Sequence, residues 1–150
     1  MSQRLVKQLI NGALVAGTGA AQSVIDPATG AEIAVVHEAS TDQVSAAAAA
    51  AHEAFDGYSQ TTPAERAGIL IAIADTLEAN TENLAALESL DVGKPWPSAR
   101  DDEMPLTIDT FRFFAGAART MSGVWTGEYV AGHTSMIRYD PVGLVAAIAP

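Results

Sequence analysis

Residues 142–149 read VGLVAAIA, a nearly continuous apolar run. A half-buried strand alternates apolar and polar residues. A run without that alternation reads as a strand buried on both faces, as in a parallel sheet. Parallel strands cannot be joined by tight turns; they need crossover connections, usually helices. This run therefore points to the α/β class, with further parallel strands as its neighbours. Only Pro150 follows it in the 150 residues, so the sequence is expected to be the first part of a longer α/β chain.

The amino-terminal residues carry two hairpin signals. Asn11-Gly12 sits between apolar pairs, the dipeptide that suits a type I′ turn. Asp26-Pro27-Ala28-Thr29-Gly30 follows Ser23-Val24-Ile25 and precedes residues 32–37. Proline presets φ for a turn, and glycine suits the left-handed position that closes it. A small antiparallel sheet is expected here.

The period changes at Ser40, which with Gln43 fits a capping box. Val44, Ala47, Ala48, Ala51, Phe55 and Tyr58 then form a helical stripe, and the alanine run 46–51 reads as part of an ordinary buried helix. Thr62-Pro63-Ala64-Glu65 starts a second helix. Asn80-Thr81 interrupts it, and a shorter helix carries Leu84, Leu87 and Leu90 before Gly93 ends it.

Residues 98–123 combine a packing stripe with three acids. Phe111, Phe114, Ala115, Ala118 and Met121 share one helical face. Ser98 is the expected cap, and Pro105 is expected to kink or restart the helix because it lacks a backbone donor. Gly116 implies close approach by a neighbour, and Gly123 is the expected stop. Asp101, Asp102 and Glu103 have two readings. Acids in a first helical turn are stabilised by the helix dipole, by about 0.3–1 kcal/mol each. They also suit the mouth of a pocket for a cationic substrate. Trp96 and Trp125 read as packing anchors, and Arg112 and Arg119 as partners of acids or carbonyls. A last hairpin is expected over residues 128–139, turning at Ala131-Gly132-His133.

Composition narrows the function classes. A formal charge of −10, with only eight Lys and Arg in no block, argues against nucleic acid or an anionic membrane as partner. There is no cysteine, hence no disulfide, thiolate metal site or cysteine nucleophile in these residues. His37, His52 and His133 lie at no metal-ligand spacing. HExxH, P-loop and dinucleotide-loop motifs are absent. No apolar run approaches the ~20 residues of a membrane span, and the amino terminus is too polar and short for a signal peptide; a cytoplasmic location is expected.

The segments INGALV, DPATGAEIAVV, TPAER, LESLDVGKP, FRFFAGAAR and RYDPVGLVAAIAP occur in that order. Together they resemble the amino-terminal third of the NAD(P)-dependent aldehyde dehydrogenase superfamily, across essentially the whole chain. FRFFAGAAR and GEYVAGHTSMIRYDPVG look most like the γ-aminobutyraldehyde (4-aminobutanal) dehydrogenases, with betaine aldehyde and other aminoaldehyde dehydrogenases as alternatives. The resemblance implies oxidation of an aldehyde to an acid through a cysteine thiohemiacetal, with NAD as cofactor and the cysteine and glutamate downstream. It also implies a homo-oligomer, dimer or tetramer. Residues 1–127 would be the amino-terminal part of the NAD-binding domain, 128–140 an oligomerisation hairpin, and 141–150 a return strand into the domain.

Residue by residue, the resemblance places Glu103, Asp102 and Leu106 in the substrate tunnel, and Ile148, Ala149 and Pro150 beside the cofactor. It places Ile25, through its carbonyl, and Asp91 at a monovalent cation site; a helix-end acid is the other reading of Asp91. No catalytic residue falls in this chain. NAD and NADP are not distinguished by these residues. Two other classes remain to be weighed: a non-catalytic assembly fragment pairing through exposed strands, and an unrelated α/β binding module.

Overall fold

The computed structural model describes residues 6–123 and 126–148. Strands β1 (Gln8–Ile10) and β2 (Ala13–Val15) pair antiparallel. Asn11 and Gly12 between them have φ of 49° and 73°, the positive pair a type I′ turn requires. Strands β3 (Ala21–Ile25) and β4 (Glu32–His37) form a second ribbon, with a bulge at Val24/Ile25. The Asp26 carboxylate accepts from Ala28 N at 2.8 Å and Thr29 Oγ1 at 2.7 Å, an Asx turn that closes at Gly30. These bonds, Thr29 first, hold Asp26 below the usual carboxylate pKa. Both expected hairpins form, as separate two-stranded sheets rather than joined in one small sheet.

Helix α1 (Thr41–Tyr58) starts on the Ser40–Gln43 capping box. Gln43 does more than cap. Its Oε1 also accepts from Thr18 N and Oγ1, both at 2.9 Å, and its Nε2 donates to Ala16 O at 2.8 Å. One side chain thus ties the β2–β3 loop to the helix start. That loop passes so close to the end of β4 that a Cβ on Gly17 would lie 2.0 Å from His37 O. Contrary to expectation, α1 buries no residue: its main neighbour is the short β1, which cannot cover an 18-residue helix.

Helix α2 (Pro63–Ala79) has the expected cap, Thr62 with Glu65. Helix α3 (Thr81–Val92) ends at Gly93 in the left-handed conformation. A short helix α4 (Trp96–Ser98) leads through a π turn, Ala99–Glu103, into α5 (Met104–Thr120). Ser98 is therefore not the cap. The run begins earlier, at Pro95, and Pro97 two residues on has its φ already set for a first turn. The π turn explains how Pro105 is tolerated: the widened i→i+5 bond from Met104 N to Ala99 O directly precedes the proline that cannot donate.

The core lies between α2 and α5, with α3 and the π turn packed alongside. Ala67, Ala74, Ala85, Ala99, Ile108 and Ala115 are its buried apolar residues among those described. On α5 the inward line runs Ile108, Phe111, Ala115, Ala118; Phe114, 56% exposed, and Met121 face outward instead. Gly116 has no neighbour within reach of a Cβ. Its presence is not explained by close packing here. Arg112 of α5 pairs with Asp75 at 3.2 Å and Glu78 at 2.6 Å on α2.

Strands β5 (Thr126–Val130) and β6 (His133–Met136) form the last hairpin, starting and ending earlier than expected. Trp125 lies outside the described residues. α5 stops at Thr120, before Gly123, which instead passes Ile137 O closely enough to exclude a Cβ. Residues 141–148 form no strand. An apolar run becomes a strand only when neighbouring backbone takes up its hydrogen bonds, and no described strand pairs with it.

Candidate substrate-side cleft

The carboxyl end of α3 and the π turn face each other across an open cleft of about 370 Å³. Leu77, Leu84, Leu87 and Met104 give it apolar walls, and Glu88, Asp91 and Glu103 bring three carboxylates. Ala85 and Ala99, buried at its base, let the π turn approach α3 closely. The loop after α3 supplies a cation. Lys94 Nζ donates to both oxygens of Glu103 at 2.5 Å and lies 3.5 Å from Glu88 Oε1. Glu103, then Glu88, raise the Lys94 pKa above its ordinary value, so the ammonium stays charged through neutral pH.

The loop holding Lys94 is itself fixed. Ser89 Oγ donates to Lys94 O at 2.6 Å. Gly93 sits against the ring of Pro27, where a Cβ would lie 2.9 Å from Cγ. Positive φ and this close contact both require glycine at that position.

Glu103 and Asp91 line this cleft together, although the resemblance assigns them to different ligands. Asp102 and Leu106 do not line it. Asp102 is exposed and accepts from Ser98 Oγ at 3.1 Å, and Leu106 is 67% exposed. Ile25 ends β3, two residues before Pro27, as Asp91 lies two before Gly93; the Pro27–Gly93 contact brings their segments together. Among the described residues no group of three metal-ligating side chains forms. His37 Nδ1 lies 3.4 Å from Gly19 O and His133 Nδ1 3.1 Å from Ala131 O, both local backbone contacts.

Of the residues assigned to the cofactor, only Ile148 is described; Ala149 and Pro150 lie outside the described residues. Ile148 is 96% exposed and apolar. No glycine-rich turn leads from a described strand into a helix, so the described residues do not by themselves cradle a dinucleotide pyrophosphate.

Sequence reasoning missed Lys94 and Glu88. The Lys94–Glu103 spacing matches no regular helical pair, because a loop, a short helix and a π turn intervene. The only signal was a lysine next to Gly93 in a chain with few cations. Arg112 was expected to find acids, and does. Trp96 also packs with a cation: the Arg100 guanidinium lies 4.9 Å from its ring centre, and Arg100 Nε is 2.8 Å from Glu82.

Residues 14–150 match the Aldehyde dehydrogenase family. A probable aldehyde dehydrogenase of Streptomyces coelicolor is 40% identical over 124 residues, covering 83% of this chain and 24% of that protein. Aldehyde dehydrogenase 1 of Tanacetum cinerariifolium is 37% identical over 150 residues, covering 98% of this chain and 30% of its own length. The NAD+ complex of an aldehyde dehydrogenase from Bacillus cereus superposes with a TM-score of 0.85 at 36% identity, over 91% of this chain and 28% of that one. The α/β fold and these matches define the class: the chain belongs to the aldehyde dehydrogenase family and has the architecture of its amino-terminal part. It spans 24–30% of the length of the two curated relatives named.

Proposed function

We propose that this chain is the amino-terminal segment of an NAD-dependent enzyme that oxidises an aminoaldehyde, 4-aminobutanal foremost, to the carboxylic acid. The family match over residues 14–150 carries the aldehyde dehydrogenase part of the reading. NAD would supply the hydride acceptor, and the nucleophilic cysteine and glutamate base would lie downstream. What these residues contribute is recognition and assembly. Residues 1–127 belong to the NAD-binding domain in this reading, 128–140 to a hairpin joining subunits into a dimer or tetramer, and 141–150 to a strand returning to the domain.

The acids at the π turn support an amino substrate. Glu103 is already neutralised by Lys94, whereas Asp102 is exposed and one residue away, and the exposed Leu106 lies four residues on, in the first turn of α5. A carboxylate beside an open apolar side chain complements a short alkyl chain ending in ammonium. Asp102 is therefore the proposed partner of the substrate's charge, with Leu106 against its chain. The Ile25 carbonyl and Asp91 carboxylate are the proposed donors to a monovalent cation; both are hard oxygen ligands.

The test uses the full-length enzyme. It should reduce NAD with 4-aminobutanal in preference to butanal. Asp102→Asn should raise KM for the aminoaldehyde by about tenfold, the order of one charge-assisted hydrogen bond, and leave butanal nearly unchanged. Equal effects on both substrates would remove Asp102 from the site. No NAD reduction with any aldehyde would end the reading.

A further inference from the structure

We propose that Lys94 sets substrate selectivity by neutralising Glu103, so that a cationic substrate held at Asp102, the next residue on the π turn, meets one free carboxylate fewer. The inference rests on the aminoaldehyde reading. Lys94 Nζ meets both Glu103 oxygens at 2.5 Å and reaches Glu88 at 3.5 Å. It is therefore a built-in ammonium that already holds the carboxylate next to Asp102 in the chain. Its loop is fixed on both sides: by the Ser89 hydroxyl on the Lys94 carbonyl, and by Gly93 against Pro27. Glu103 is fixed in turn by the π turn that carries it. A flexible surface pair would exchange partners freely; this one joins two anchored segments. Lys94 acts through Glu103 and is a positioning residue, not a catalytic one.

The consequence follows from counting charge in the cleft. Three carboxylates line the cleft, and the Lys94 ammonium meets two of them, Glu103 and Glu88. Lys94→Met uncovers Glu103 and makes the surroundings of Asp102 more attractive to cations. Glu103→Gln leaves Lys94 without its main partner and makes them less attractive. Removing both together takes away one charge of each sign and restores the parent balance.

The experiment measures kcat/KM for 4-aminobutanal and for butanal in the full-length enzyme and three variants. Lys94→Met should raise the amino-to-neutral ratio about 3- to 10-fold through KM, as expected for one charge acting across a partly wet cleft. Glu103→Gln should lower it by a similar factor. The double variant should return it to the parent value, and Lys94→Arg should keep it there. The inference is overturned if Lys94→Met changes both substrates equally, which is what a purely structural role would do. It is also overturned if the double variant stays as low as Glu103→Gln, which would make Glu103 the direct substrate partner. An active parent enzyme without aminoaldehyde preference would sink the substrate reading alone; a gain of that preference in Lys94→Met would still uphold the role of Lys94.

Discussion

Gly17 and Gln43 both act where the ribbon of β3 and β4 gives way to the first helix, Gly17 against the end of β4 and Gln43 on the residues either side of Gly17. Gly17 runs against the backbone of His37 and Glu38, and the 2.0 Å approach leaves no room for a methyl group. The obstacle is backbone, which cannot swing aside as a side chain can. Gly17→Ala should therefore cost at least the roughly 1–3 kcal/mol typical of overpacking, read as a lower urea midpoint. An unchanged midpoint would mean that the loop does not pass there. Asp26 shows the opposite economy, with one carboxylate organising a turn through two local bonds.

Helix starts and tight turns were legible in the sequence because they are made by neighbours. Ser40 with Gln43, Thr62 with Glu65, Asn11-Gly12 and Gly93 all act within a few residues of themselves, and each stands where the pattern put it. What depends on a distant partner was not legible. The 142–149 run has the composition of a buried strand, but composition does not supply the strands beside it. Phe114 fits the helical stripe of α5 as well as Phe111 does, yet only packing with α2 decides which of them turns inward. The candidate site divided in the same way. Glu103 could be picked out as an acid in a first turn, but its lysine could not, because the path between them bends through a π turn. Gln43 offers a test at this scale. Its ties to residues 16 and 18 add to its role in the cap, so Gln43→Ala should destabilise the protein more than Ser40→Ala, which should cost about 1 kcal/mol. Equal losses in parallel urea titrations would show that the ties to the loop contribute nothing.

Across the whole molecule, large apolar side chains lie open on several elements: Ile69 and Ile73 on α2, Phe113 and Phe114 on α5, Tyr129 and Met136 on the last hairpin, and Val142 beyond it. Such a surface is characteristic of a face that other polypeptide covers. This 150-residue segment, expressed alone, should show concentration-dependent sedimentation. A monomer at every concentration would contradict that. The pattern agrees with a chain that spans about a quarter of its relatives' length, and it accounts for how little of α1 is enclosed. Inside, the α2–α5 contact is lined largely by methyl groups: Ala67 and Ala74 on one helix, Ala115 with Ile108 on the other. Alanine has no rotamer and little shape, so a surface of alanines accepts several alignments about equally well. Two smooth helices could slide by a turn and still fill their interface. Arg112 breaks that degeneracy by gripping Asp75 and Glu78 together, one turn apart on α2. Exposed ion pairs add little to stability, but here the pair works as a detent, fixing where along its partner the helix comes to rest.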